Sequence, residues 1–283
     1  MKADKPSRTA QLVTLGRAVA DIGLSHVPGF RDPTARVFLN ARGKKTLAKI
    51  EHRAVLGTQS AQLQGARAMA DLMALRTTAI DTAVRDALSN GAKQLVILGA
   101  GYDGRAWRMP ELAGVKVFEV DHPSTQRDKR SHVAELPAAK GDVSFVPVNF
   151  EHESLDSALN RAGHDQSLPT RWIWEGVVMY LTREAMRATL TNIGRRSAPG
   201  STLIVNYHTI LRGWITQLIF RLIGEPQISC WTPAEMASDL GAAGFAVRED
   251  TSMIDWNARF ANGQAKVERM FYMRIGIARR RDG

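Results

Sequence analysis

A chain of 283 residues, 44% hydrophobic and 23% charged, can bury one substantial core and has the make-up of an ordinary globular protein. Its single cysteine, Cys230, excludes an intrachain disulfide framework and a zinc–thiolate cluster. Lys and Arg outnumber Asp and Glu by 38 to 28, a net charge of +10, but the basic residues are scattered and not interleaved with aromatics, so a basic surface or an anionic small substrate is favoured over nucleic acid. The apolar stretch around Ile215–Ile223 is interrupted by Gln217 and Arg221 and is too short to span a bilayer. MKADKPSRTAQLV lacks the unbroken apolar run of a secretory signal, so the expectation is a cytoplasmic protein without membrane insertion.

Residues 6–90 read mainly as helix. Leu12, Leu15, Val19 and Ile22 recur at spacings of three and four, with Ser7 or Thr9 as the cap. Pro28 and Pro33 break the helix, and Asp32-Pro33 reads as the N-cap and first position of the next one. Towards residue 90, Met73, Ile80, Val84 and Leu88 form an apolar stripe that ends at Asn90-Gly91. Arg76 sits in the middle of it, either as a snorkelling surface arginine or as a guanidinium reaching over a sheet edge to a ligand carboxylate.

The organising stretch runs from Lys93 to Arg130. Leu95–Leu98 is a buried-strand pattern, and the G-A-G-Y-D-G turn that follows carries Gly99, Ala100, Gly101 and Gly104. Val115–Val120 is the second strand and ends on Asp121, where a carboxylate can accept both hydrogen bonds of a ribose diol. Strand, glycine turn, helix, strand and acid together form the signature of a fold that holds an adenosine-bearing cofactor. The glycine spacing is looser than the dinucleotide fingerprint, and no Gly-Lys-Ser/Thr follows as in a Walker loop. A nicotinamide-dependent oxidoreductase and a non-catalytic nucleoside-binding protein both stay open at this point.

Val143–Val148 reads as strand three, with Asn149 and Phe150 beyond it; Asn149 is either a turn residue or an amide facing an adenine. Arg171–Val178 reads as strand four. Glu175, between Trp174 and Gly176-Val177, needs a cationic partner, such as an α-amino group. Thr182 caps a helix over Arg183–Arg195, Ser201–Tyr207 is strand five, and His208 follows it. Residues 209–232 read as a helical lid insertion with Trp214 and Phe220. Thr232-Pro233-Ala234-Glu235 opens another helix, Gly244–Glu249 and Arg269–Ala278 are the last strands, and RRRDG reads as a frayed tail.

LVILGAGYDGRAWRM, KVFEVDHP and WIWEGVVMYLT, in this order and spacing, resemble the S-adenosylmethionine-dependent methyltransferases of the leucine carboxyl methyltransferase group, in particular its bacterial O-methyltransferase branch. SRTAQLV, FRDPTARVFL and LRTTAID extend the likeness over roughly residues 7–279. The resemblance implies an α/β, Rossmann-like fold: a seven-stranded, mostly parallel sheet with helices on both faces and an added helical lid. It divides the chain into an N-terminal helical cap over 1–92 and a methyltransferase core over 93–283. It implies that S-adenosyl-L-methionine lies on Gly99, Ala100 and Gly101, its ribose on Asp121 beside His122, and its adenine near Asn149 and Phe150. The methionine end then falls to Arg76 and Glu175. Relatives generally carry an aspartate where Asn149 stands. Tyr180 is the motif tyrosine that helps place the acceptor, and His208, with His122 behind it, is the candidate base if the acceptor is a hydroxyl. A small-molecule carboxylate is the expected acceptor, ahead of a hydroxyl; no metal is called for.

Overall fold

The computed structural model describes residues 7–57, 60–89, 91–149, 153–210, 226–267 and 272–281. Seven strands form one sheet: β1 (Gln94–Leu98), β2 (Lys116–Asp121), β3 (Asp142–Pro147), β4 (Thr170–Trp174), β5 (Thr202–His208), β6 (Phe245–Ser252) and β7 (Met273–Arg280). Their order is β3-β2-β1-β4-β5-β7-β6. The first five pair in parallel, while β7 runs antiparallel to both β5 and β6. From β1 the chain moves outward to β2 and β3 and then returns to the other side of β1 as β4. That reversal opens a crevice beyond the carboxyl ends of β1 and β4, the place where sheets of this kind bind ligands.

Strand alternation sorts the core into two layers. Leu95, Ile97, Val117, Ile173 and Ile204 face one side, and Val96, Leu98, Phe118, Trp172, Trp174 and Val205 face the other. The first face is covered by α1 (Arg8–Val19), α2 (Pro33–Val37), α4 (Ala61–Leu88), α5 (Arg105–Arg108) and α10 (Met253–Ala261), with α3 (Ala41–Val55) outside α1 and α4. The second is covered by α7 (Leu155–Arg161), α8 (Arg183–Arg195) and α9 (Pro233–Ala242). Between β2 and β3 runs α6 (Pro123–His132).

Most expected boundaries hold, and the differences have local causes. Ser7 caps α1, accepting from the Ala10 N–H at 3.0 Å, and the helix widens into a π turn over Ala20–Leu24. Asp32 occupies the N-cap position of α2 without capping it, because its carboxylate is committed to Arg17 and Thr34. β4 stops at Trp174, four residues short of the expected end, because Gly176 adopts φ +70° and turns the chain out of the sheet. β5 extends through His208. Helix α10 was not foreseen at all. Arg279 and Arg280, expected in a frayed tail, belong to β7, where the Arg280 guanidinium donates to the Ala243 carbonyl at 2.8 Å and lies over the Phe245 ring. Most of the expected lid insertion, with Trp214 and Phe220, lies outside the described residues. Among the described residues no helix is long and apolar enough to cross a membrane, and no cluster of His, Cys, Asp and Glu is set to hold a metal.

Candidate functional site: the tips of β1, β2 and β4

The turn after β1 is fastened to the end of β2. The Ala100 N–H donates to the Val120 carbonyl at 3.0 Å, and the Gly101 N–H donates to Asp121 Oδ2 at 2.5 Å. Asp121 Oδ1 accepts from the His122 N–H at 2.6 Å. Burial pushes the Asp121 carboxyl up from its ordinary range, against the pull of these two N–H groups. Gly99 and Gly101 have φ of +65° and +48°, a region that costs a side-chain-bearing residue strain. A Cβ on Gly99 would stand 2.3 Å from Val177 Cγ2, so the turns after β1 and β4 touch at this glycine.

Arg76 is 5% exposed, which overturns the surface reading. Its Nε lies 2.7 Å from Glu175 Oε1, at ion-pair distance but not aligned to donate a hydrogen bond. Arg105 Nη1 donates to Glu175 Oε2 at 3.0 Å. Behind Arg105 stand Asp103, paired with the same Nη1, and Asp81, 2.7 Å from its Nε. Asp81 also binds Arg108, and Asp32 takes Arg17 at 2.8 Å, with Arg108 3.7 Å from its other oxygen. On the β2 side Lys129 Nζ donates to Glu119 Oε2 at 2.5 Å and to the Asp103 carbonyl at 2.6 Å, above the rings of Phe38 and Trp107. Burial would raise the carboxyls of Asp81, Asp103 and Glu175, but the neighbouring guanidiniums outweigh it and hold all three below their usual values, Asp103 at about 2. Glu119 goes the other way: burial prevails over Lys129 and pushes it up to about 7.

The expected site residues thus fall into groups. Gly99, Ala100, Gly101, Asp121 and His122 lie together at the β1–β2 tips, and Arg76 meets Glu175 beside them. Asn149 lies two residues past β3, where the adjoining Val148 N–H donates to the Asp121 carbonyl at 2.9 Å. His122 caps α6 through Nδ1, 2.8 Å from Ser124 Oγ. Tyr180 closes a 3-10 turn over Val178–Tyr180, half-buried. His208 ends β5 with its ring buried edge-on against Tyr272, centroids 5.1 Å apart. Phe150 lies outside the described residues.

Arg105, Asp81, Asp103 and the Glu119–Lys129 pair were missed by the sequence reading. Their signal was present: Glu119 is a carboxylate inside an apolar strand, which demands a buried cation, and Arg105 and Arg108 directly follow the glycine turn.

These groups fit one kind of ligand. An acid able to accept from a diol, a backbone turn stripped of side chains, and an Arg/Glu pair with an unaligned guanidinium N–H match a nucleoside carrying a zwitterionic amino-acid tail. The model of the leucine carboxyl methyltransferase family matches residues 10–194. A Streptomyces coelicolor protein provisionally named an S-adenosyl-L-methionine-dependent methyltransferase is 34% identical over 211 residues, 74% of this chain and 71% of that protein. One of the same description from Mycobacteroides abscessus is 36% identical over 208 residues, 71% of this chain and 67% of its own. Among solved structures, a DUF574-family protein from Streptomyces avermitilis shares the fold, with a TM-score of 0.59 at 13% identity and 98% of each chain covered. The class is therefore that of the S-adenosylmethionine-dependent methyltransferases, and the nicotinamide alternative falls. Within that class, the chain belongs to the leucine carboxyl methyltransferase family.

Proposed function

We propose that this protein methylates an oxygen of a small-molecule acid, a carboxylate in preference to a hydroxyl, as in the O-methyltransferase branch of its family. The observation that supports its methyl-donor half is the Arg76–Glu175–Arg105 cluster beside the ends of β1 and β4, while the choice of acceptor rests on the likeness to the family. In this reading Arg76 and Glu175 bind the amino-acid end of the cofactor, Asp121 binds its ribose beside His122, and Asn149 and Phe150 flank its adenine over the Gly99–Ala100–Gly101 turn. S-adenosylmethionine supplies a methyl group already activated on a sulfonium. The chain is left to align the acceptor oxygen in line with that methyl and to keep water out. Residues 1–92, as a cap over the core formed by 93–283, and the insertion at 209–232, as a lid, would serve the second task, and Tyr180 the first.

A carboxylate acceptor is ionised at neutral pH, so no base has to take a proton from it. This accords with the histidines beside the site, since the His208 ring is packed against Tyr272 and His122 is engaged at a helix N-terminus. The test is incubation with methyl-labelled cofactor and a panel of small organic acids, then mild base. Label released as methanol is the expected result. A base-stable label would rule out a methyl ester and return His208 to candidacy as the base for a hydroxyl acceptor.

A further inference from the structure

Glu175 is held by two arginines in different ways. The Arg105 side chain is 3% exposed and cannot swing toward a ligand, because its Nε is committed to Asp81 and its Nη1 is shared between Asp103 and Glu175. Arg76 meets the other carboxylate oxygen with Nε unaligned, and its Nη1 lies 4.0 Å from where a Cβ on Gly176 would stand, the one contact there from outside the adjoining residues among those described. The Glu175 side chain is 15% exposed, more than either arginine, and is the end of the charge network that reaches the crevice.

An amino-acid tail brings a carboxylate for Arg76 and an ammonium for Glu175, so the ammonium competes with Arg76 Nε for Glu175 Oε1 when it enters. A carboxylate held by Arg76 alone would then lose its orientation. We propose that Arg105 is a positioning residue that anchors Glu175 through Oε2, so that Oε1 can exchange Arg76 for the ligand's ammonium without the carboxylate moving. The inference rests on the assignment of the cofactor site given above. It goes further in dividing one carboxylate into a fixed oxygen and an exchangeable one. Arg105 acts only through Glu175 and touches no ligand, and its planar fork, which spans Asp81 and Glu175 at once, is the property a lysine would lack.

The test compares calorimetric affinities for S-adenosylhomocysteine and for 5′-methylthioadenosine, which keeps the nucleoside and sulfur but has no amino-acid tail. Arg105→Lys is expected to weaken S-adenosylhomocysteine by about tenfold while leaving methylthioadenosine within about twofold, the scale of one misplaced charge-assisted hydrogen bond. Glu175→Gln should show the same selectivity, and adding Arg105→Lys to it should cost nothing more. Asp81→Asn, which loosens the anchor from behind, should give a smaller loss with the same selectivity and decides the matter if Arg105→Lys does not fold. Equal losses for both ligands, additive losses in the double variant, or no loss at all would overturn the inference. A wild-type protein that binds both ligands equally would instead overturn the cofactor-site reading beneath it.

Discussion

Two glycines separate the steric from the conformational part of what a residue does here. Gly99 has a left-handed φ and a neighbour, Val177 Cγ2, standing 2.3 Å from any added Cβ; Gly114 has φ +74° and nothing within reach. Gly114→Ala should therefore cost only the backbone strain, about 1 kcal/mol. Gly99→Ala should cost ~2–4 kcal/mol, since overpacking is added to the same strain. Denaturant midpoints of the two variants check the difference, and only Gly99→Ala should also weaken cofactor binding, because it forces the turns after β1 and β4 apart. Gly99, Asp121 and Glu175 were legible because each breaks an apolar pattern at a strand end, where a ligand or a turn has to explain it. Arg105 was less so, because nothing in RAWR tells which of its two arginines reaches Glu175. Asp81, 24 residues before Arg105 on another helix, binds both, and of the two Arg105 alone extends to Glu175.

At the level of elements, legibility followed the caps. TPAE gave α9 its start, and both halves of the capping box are formed, with the Thr232 side chain accepting from the Glu235 N–H and the Glu235 side chain from the Thr232 N–H. Thr232→Ala should lower stability by about 1 kcal/mol, measurable as a shift in thermal midpoint. Helix α10 has an equivalent box, Ser252 with Asp255, yet was overlooked. It starts on the residue after β6 with no glycine or proline between, and its third position carries the shorter acid, so the strand pattern runs into it unpunctuated. The β4 boundary was misplaced for the opposite reason. Val177 and Val178 are good strand residues, but the left-handed Gly176 before them sends them over the sheet edge.

Across the whole molecule the charge excess and the buried charges follow different rules. The chain carries +10, but the network beneath the site sets Arg17, Arg76, Arg105, Arg108 and Lys129 against Asp32, Asp81, Asp103, Glu119 and Glu175, five of each sign. Such pairs stay ionised only while every partner is present, which predicts a two-sided pH profile. Asp81, Asp103 and Glu175 have lowered folded-state values, so the stability they contribute is full above the unfolded carboxyl range near pH ~4 and is lost as pH falls below it, for Asp103 through about 2. Glu119 is raised, so its contribution is full below pH ~4.5 and is lost as pH rises through about 7. Denaturation midpoints should thus peak between these limits, and Glu119→Gln should flatten the neutral limb while sparing the acid one.

Helix α4 runs unbroken from Ala61 to Leu88 and delivers the chain to β1, which begins six residues later at Gln94. Arg76 is thereby indexed to the sheet by a rigid spacer. One inserted residue between it and Leu88 would turn the guanidinium by about 100° around the axis and shift it by about 1.5 Å, pointing it away from Glu175. Evolution can lengthen the loops of this protein at many places, but along these twelve positions only changes close to a whole helical period preserve the phase.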